Sequence, residues 1–476
     1  MTKQLPKAQI YFLEGDYDKA LQNCKQGLSI NNISKQSKLK LLELSGWIYF
    51  MKSELNQALK YHQKCIPLAE ELNRIGQLVR ILNNLGYIYR MIGKINLAIE
   101  CLERSLMLSE KRDFPYQMAR SLAIIILTYL DGNSREKANQ YLSRLVELYN
   151  QTKCKGDVDL SFFYKGGKAF MLKTSTRMRD RVQAQVLFKE LIDTNLAPNS
   201  LDSFLVLSNY CDLLLEELSL YNDPEILDEI NVLITKSIDM AQQANSYSFL
   251  AETKLLQAKL ALIEMNTEEA KKLMVQAQHI ADSHGLNLLA WGISSEFDKL
   301  LDQIDVWNTV KKDGAPISER IKLASTNEVL ERIQGKRALE PAELVDEEPI
   351  LLLIMDNSGA TYFNHPFVSN WDHSDLFSSF LSAFNTFSDE IFSKSIDRIR
   401  IGENTILINP VEPYLACYVI KGQSYPALQK LMRFTEAIRE SSEIWQALNK
   451  SVKTSEVLEL DKSPTLKTVI DEIFTQ

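Results

Sequence analysis

An alanine recurs at a nearly fixed interval through the first third of this chain. Ala20 in EGDYDKAL, Ala58 in SELNQAL, Ala98 in GKINLAI and Ala138 in NSREKAN are separated by 38, 40 and 40 residues. Twelve positions before each stand Ala8, Gly46, Gly86 and Ile126, and nine positions before each stand Tyr11, Tyr49, Tyr89 and Tyr129. Between Leu82 and Glu110, large apolar residues fall at helical spacing among these small and aromatic positions, so each unit is two antiparallel helices packed closely about a tight turn. One hairpin of this kind cannot bury its apolar face. Neighbours must stack on both sides, which makes the region a solenoid.

The pattern resembles the tetratricopeptide repeat, in the longer-period form found in peptide-binding regulators and in motor or polarity adaptors. The resemblance is specific for the second and third units, good for the first and weaker for the fourth, where Ile126 replaces the small residue. After Ala138 the register loosens through a fifth unit near Val158–Asn195 and a sixth near Leu201–Gln243. It recovers with Ala258, Ala261, Ala270 and Ala277. Seven helical hairpins are expected over residues 1–307, with Leu286–Trp307 as a helix capping the open end. Only five of the 13 prolines lie in the first 300 residues, mostly at repeat boundaries.

A stack of such hairpins curls, and the first helix of each lines the inner wall. Counting from Ala20, Ala58 and Ala98 places Lys40, Glu43, Trp47 and Phe50, then Arg80, Asn84, Tyr87 and Arg90, on that wall. In peptide-binding relatives the place of Asn84 commonly holds an asparagine that grips the main chain of a ligand, a task suited to an amide with both a donor and an acceptor. The equivalent places here hold Leu44 and Ile124, so a ladder of asparagines is absent. Asn84 then either meets a ligand or satisfies a neighbouring backbone group. Trp47 and Tyr87 likewise read either as ligand contacts or as packing between adjacent helices.

Residues 308–349 break the pattern and read as a linker with one amphipathic helix, Ile317–Ile333. From Ile350 the texture changes again. Ile350–Met355 is a continuous apolar run closed by Asp356-Asn357-Ser358-Gly359, as in a buried strand followed by a hairpin turn. A second strand over Thr361–Val368, an apolar-faced helix over Phe377–Ile391, three strands (Ile396–Ile401, Thr405–Asn409 and Tyr414–Lys421) and a long helix over Pro426–Val452 complete residues 350–452. A tail, 453–476, carries a short helix begun by Ser463-Pro464. The order ββαβββα, with LSAFNTFSDEIF, IDRIRIGENTILI and CYVIKGQSY, resembles a longin or roadblock domain, a small profilin-like sheet. It is also similar to C-terminal modules of uncharacterised archaeal multidomain proteins. The roadblock form has a further helix before its first strand, which Ile317–Ile333 would supply. The fold class expected is thus multidomain: an all-α repeat superhelix followed by a small α/β domain.

Composition narrows the function. A chain of 476 residues is too long for one compact core, and a net charge of -8 with pI near 5.5 speaks against nucleic acid as the main partner. The first residues already belong to a repeat and lack the apolar core of a signal peptide, and no apolar run approaches a membrane span. A cytoplasmic location is expected, any membrane association coming through partners. The six cysteines, Cys24, Cys65, Cys101, Cys154, Cys211 and Cys417, show no paired or metal-ligand spacing and read as buried thiols. His365 and His373 gather near Asp356, Asp372 and Asp375, but their contexts look like surface loop. Walker, GxGxxG, GxSxG and HExxH motifs are missing, and Gly166-Gly167 reads as a close helix contact. The chain is therefore read as a non-enzyme without cofactor or metal. What the resemblance implies is a scaffold or adaptor, its repeats holding a peptide or helix and its C-terminal domain docking a small GTPase or related trafficking or signalling protein. The alternative is a regulator whose C-terminal sheet binds a small molecule in a PAS- or GAF-like pocket.

Overall fold

The computed structural model describes residues 4–155, 160–194, 201–334, 336, 347–356, 360–368, 398–454 and 456–474. The chain divides into two compact units, Met1–Ala290 with Thr309–Glu340, and Trp291–Asn308 with Pro341–Gln476.

Seven antiparallel hairpins fill the first unit: α1 (Gln4–Leu13) with α2 (Tyr17–Leu28), α3 (Lys35–Met51) with α4 (Leu55–Glu71), α5 (Ile75–Met91) with α6 (Ile95–Lys111), α7 (Pro115–Asp131) with α8 (Arg135–Lys155), α9 (Ser161–Lys173) with α10 (Met178–Asp193), α11 (Leu201–Tyr221) with α12 (Pro224–Gln243), and α13 (Tyr247–Ile263) with α14 (Thr267–Ser283). The aligned small residues are where helices touch. A Cβ on Gly86 would lie 2.5 Å from Leu102 Cγ, and one on Gly46 would lie 3.0 Å from the His62 ring. Ala20, Ala58, Ala98 and Ala138 are wholly buried.

One turn recurs. Gly93 stands in the left-handed region at φ 73°, its N–H donates to Arg90 O (3.0 Å), and Lys94 N–H donates to Tyr89 O (2.9 Å). This paired cap ends a helix and lets the next start at once. The same closing bond reaches the carbonyls of Tyr11, Tyr49 and Tyr129, which explains why those positions align. Pro115 and Pro224 open helices, whereas Pro67 lies inside α4 on its exposed side, where water can replace the lost hydrogen bond.

The stack comes round far enough for its first turn to meet its later ones. Asn245 Nδ2 donates to Leu13 O (2.7 Å), Tyr17 Oη donates to Asn245 O (3.2 Å), and His284 Nδ1 lies 2.9 Å from Gly15 O. The Tyr247 ring stacks on His284 with centroids 3.4 Å apart.

Beyond α14 the chain differs from the sequence expectation in three places. The capping helix is two, α15 (Asn287–Asp302) and α16 (Ile304–Asp313), and Trp291–Asn308 groups with the second unit. Its reason is polar: Asp298 accepts from Ser424 N (3.1 Å) and Ser424 Oγ (2.6 Å), and buried Arg398 reaches Ser294 Oγ (2.9 Å) with its guanidinium over Phe297. The helix expected over Ile317–Ile333 is also two, α17 (Ile317–Ala324) and α18 (Thr326–Ile333), broken at Ser325 with φ 51°. It groups with the first unit.

In the second unit, β1 (Glu348–Asp356), β2 (Thr361–Pro366), β3 (Arg398–Ile401), β4 (Asn404–Val411) and β5 (Tyr414–Lys421) form an antiparallel sheet in the order β2-β1-β5-β4-β3. Leu353 pairs with Cys417 on one side and Asn364 on the other. β1 and β5 are interior strands buried on both faces, which is why they read as unbroken apolar runs. Leu352, Ile354, Leu407 and Tyr418 pack against Leu431, Phe434 and Ile438 of α19 (Ser424–Glu440) and Ile470 and Phe474 of α21 (Pro464–Phe474). Leu351, Leu353, Ile406 and Cys417 form a separate buried cluster. The long final helix is two, α19 and α20 (Ser442–Thr454), parted by Ser441 at ψ 105°. Leu458 of the tail forms a parallel bridge with Phe363 on β2. The helix expected over Phe377–Ile391, together with Asp372, His373 and Asp375, lies outside the described residues.

Candidate functional site: the inner wall of the repeats

The wall-lining residues read from the sequence fall into two groups. Glu43, Trp47, Phe50, Arg80 and Tyr87 are engaged with one another between neighbouring hairpins. Glu43 accepts from Gln77 Nε2 (3.0 Å) and pairs with Arg80 (2.8 Å). Trp47 stacks on Phe50 with centroids 5.2 Å apart, and Phe50 stands edge-on to Tyr87 at 6.0 Å. Burial pushes the Tyr87 hydroxyl up to about 12, so it stays a neutral packing group. Lys40 and Asn84 are half-buried. The asparagine with a structural bond is the next one back: Asn83 Oδ1 accepts from Ser121 Oγ (2.9 Å) across to α7, in a fully buried seam.

Arg90 does something different. Its side chain is 1% exposed, its Nε pairs with Asp131 on α7, and its Nη2 donates 3.1 Å to the main-chain oxygen of Gln334. Gln334 follows α18, and the α17–α18 segment lies against α11 and α13, the first helices of the sixth and seventh hairpins. On α13, Glu252 takes both ends of the Arg332 guanidinium, at 2.8 and 3.0 Å, and Lys259 Nζ donates to Ala324 O at 2.7 Å. Arg320 Nη1 reaches Ile263 O at 3.1 Å. On α11, Ser208 O accepts from Gln334 Nε2 at 3.3 Å. Val329, Leu330 and Ile333 are buried, with Ile333 among Phe204, Leu207, Cys211, Leu233 and Leu256.

Charge on the wall is arranged by hairpin. Lys173 of α9 sits between Asp212 and Asn209 of α11; burial works to raise the Asp212 pKa, but Lys173 outweighs it and holds the carboxyl below its usual range. The wall thus presents cations to main-chain oxygens of the segment and one carboxylate to its arginine. A segment is gripped in two ways: by groups every helix carries, and by one particular side chain.

Sequence reasoning found Arg90 and missed Glu252 and Lys259. A signal existed, since both stand at the same offsets before Ala270 as Arg80 and Tyr87 stand before Ala98. Ser208 and Asp212 lie in a hairpin whose register had loosened, where counting gives no guide.

Among the described residues, no group of three or more His, Cys, Asp or Glu is placed to hold a metal ion. Burial pushes the thiols of Cys24 and Cys101 to about 11 and those of Cys65, Cys211 and Cys417 to about 12, which keeps them protonated and unreactive. No described helix is long and apolar enough to cross a membrane.

A tetratricopeptide-repeat family model matches residues 7–33 and 79–112, the first and third hairpins. No curated protein matches the chain. Among solved structures, a Rap protein complexed with competence and sporulation factor is similar at 12% identity, covering 69% of this chain and 84% of the other, with a TM-score of 0.41. NprR in complex with its cognate peptide NprX is similar at 16% identity over 59% and 81% of the two chains, TM-score 0.40. The apo quorum sensor NprR from B. thuringiensis is similar at 13% identity over 69% and 86%, TM-score 0.37. At these scores the likeness assigns no ligand to this chain.

Proposed function

We propose that this chain is a cytoplasmic, non-enzymatic scaffold whose repeat channel holds a helical segment of a protein partner, and whose C-terminal unit, longin- or roadblock-like, docks a small GTPase or a related trafficking or signalling protein. The observation that carries the channel reading is the α17–α18 segment itself: the inner wall already binds helical chain through Arg90, Glu252 and Lys259. A surface that orders one such helix has the chemistry to order another. Lys40 and Asn84, half-buried on the first helices of the second and third hairpins, extend the same wall and are proposed as the remainder of the partner surface, with Trp47, Arg80 and Tyr87 packed beside them as its support. For the C-terminal unit, support comes from the order of its described elements, two strands, three strands, then helices on the sheet, which agrees with the resemblance.

The test is a selection of displayed helical peptides on the full chain and on a Leu330→Asp/Ile333→Asp variant that releases the segment. Enrichment on either, lost when Arg90→Ala and Glu252→Ala are added, supports the channel. No enrichment on either sinks it. For the C-terminal unit, measurable binding of a purified small GTPase to the full chain, in either nucleotide state, is expected; absence of binding across a panel removes that half of the reading.

A further inference from the structure

We propose that the ligand of the channel is an amphipathic helix carrying an arginine, and that it binds by taking the place of α18. The proposal rests on the channel reading above and gives it a chemistry.

The contacts on α17–α18 divide by what they recognise. Arg90 and Lys259 donate to the carbonyls of Gln334 and Ala324, each at the end of a short helix. Carbonyls are left without partners at the end of any helix, so a cation there accepts any sequence of suitable length. Specificity has to come from elsewhere. Glu252 and Arg332 supply it with two parallel bonds between side chains that are 10% and 12% exposed. A carboxylate so placed selects the planar fork of arginine, since the ammonium of lysine cannot fill both oxygens in that geometry. Val329, Leu330 and Ile333 complete the motif as an apolar stripe turned to the wall.

The resident segment is built to leave. α17 and α18 are eight residues each, interrupted at Ser325 in the left-handed region. Helices shorter than about 12 residues do not persist alone in water, so the segment holds its form only on the wall. Leaving the wall costs it contacts but breaks no element of the repeat stack. Because it is part of the same chain, it competes at a high effective concentration, and an outside ligand must outmatch it. The arrangement sets a threshold: weak or unmatched helices are kept out, and a matched one gains the channel.

The chain's own segment is the probe. A fluorescent peptide of Pro316–Gln334 is titrated against the full chain, with amide exchange of Thr326–Gln334 followed in parallel. The Leu330→Asp/Ile333→Asp chain, its segment released, is expected to bind the peptide at least about tenfold more tightly than the unaltered chain, the difference being the loss of an intramolecular competitor. Adding Glu252→Arg to that chain should abolish binding, and a peptide bearing Arg332→Glu should restore it. Rescue by charge exchange is an outcome that mere misfolding cannot produce. The proposal is overturned if the released chain binds no more tightly, if Thr326–Gln334 stays protected in it, or if the Arg332→Glu peptide binds the unaltered Glu252 wall as well as the native one does. Selection of displayed helices that lack arginine would also overturn it, while leaving the channel reading intact.

Discussion

Removing the carboxylate of Glu252 should undock one segment and leave the rest of the repeats folded. Glu252 and Arg332 meet through bonds of 2.8 and 3.0 Å, far from bulk water but not sealed from it. Breaking a buried pair by deleting one partner costs about 3–5 kcal/mol, because the survivor is left as an uncompensated charge. Here the low end applies, since α18 can carry Arg332 out to solvent. About 3 kcal/mol is about a hundredfold in the docking equilibrium. Two short helices released from the wall melt, so their amides exchange at a rate set by undocking. Hydrogen exchange read by mass spectrometry on Glu252→Ala should therefore show about a hundredfold faster exchange over Thr326–Gln334, with α5 and α6 unchanged. The charge-reversed pair Glu252→Arg with Arg332→Glu should recover part of the protection, since the coupling belongs to the pair. Faster exchange spread evenly over all hairpins would refute the reasoning, and so would no change at all.

Three further perturbations test the packing. Gly86→Ala places a Cβ 2.5 Å from the core atom Leu102 Cγ and should lower stability by about 1–3 kcal/mol, whereas Gly76→Ala, in the same helix with open space around it, should raise it by up to about 1 kcal/mol; thermal unfolding with both shifts of one sign would be wrong for this packing. Gly15 and Gly93 both hold positive φ, but only Gly15 would drive a Cβ into the Tyr247 ring, so Gly15→Ala should cost clearly more than Gly93→Ala and loosen the seam between the first and later turns, seen as a larger radius of gyration by solution scattering. His62 is buried and neutral, its pKa lowered by burial to about 4. As pH falls below about 6.5 the unfolded chain takes up a proton that the folded chain refuses, so about 3 kcal/mol of stability is lost between pH 6.5 and 4, and His62→Leu should flatten that slope in urea titrations.

Elements held by local chemistry were legible in the sequence. β5 spans Tyr414–Lys421, the residues read as a strand, because an interior strand buried on both faces leaves an unbroken apolar run. The hairpins of the first unit were legible for a related reason: the turns of the first four and of the seventh repeat a left-handed residue and a closing bond to a fixed carbonyl, so the constraint is written within a few residues. Where local signals conflicted, the apolar stripe prevailed wrongly. Ser441 and Ser325 each precede a new helix, and Ser325-Thr326-Asn327-Glu328 has the spacing of a capping box, yet the apolar pattern ran through both. The fate of Trp291–Asn308 was beyond reach, since it is fixed by Asp298 meeting Ser424 and Arg398, at least a hundred residues away in the chain.

The wall itself shows why a candidate site is harder to read than a fold. Repeat register identifies which positions point inward, but an inward residue can be spent on its neighbour or kept for a ligand, and the two look alike in sequence. Glu43 and Arg80 are of opposite sign in adjacent hairpins and satisfy each other. Glu252 occupies the register place of Arg80, but its cation comes from eighty residues further on, outside the repeats. Among the eight wall positions read from sequence, Arg90 alone has a described bond to the segment, and it does so beside Asp131, which neutralises its charge while leaving Nη2 to donate. A wall residue is therefore best judged by whether its charge finds an answer within the next hairpin. Where it does and nothing is left over, as for Glu43 and Arg80, the residue holds the stack; where a charge or a spare donor is answered by a separate segment, as for Glu252 and Arg90, the position recognises.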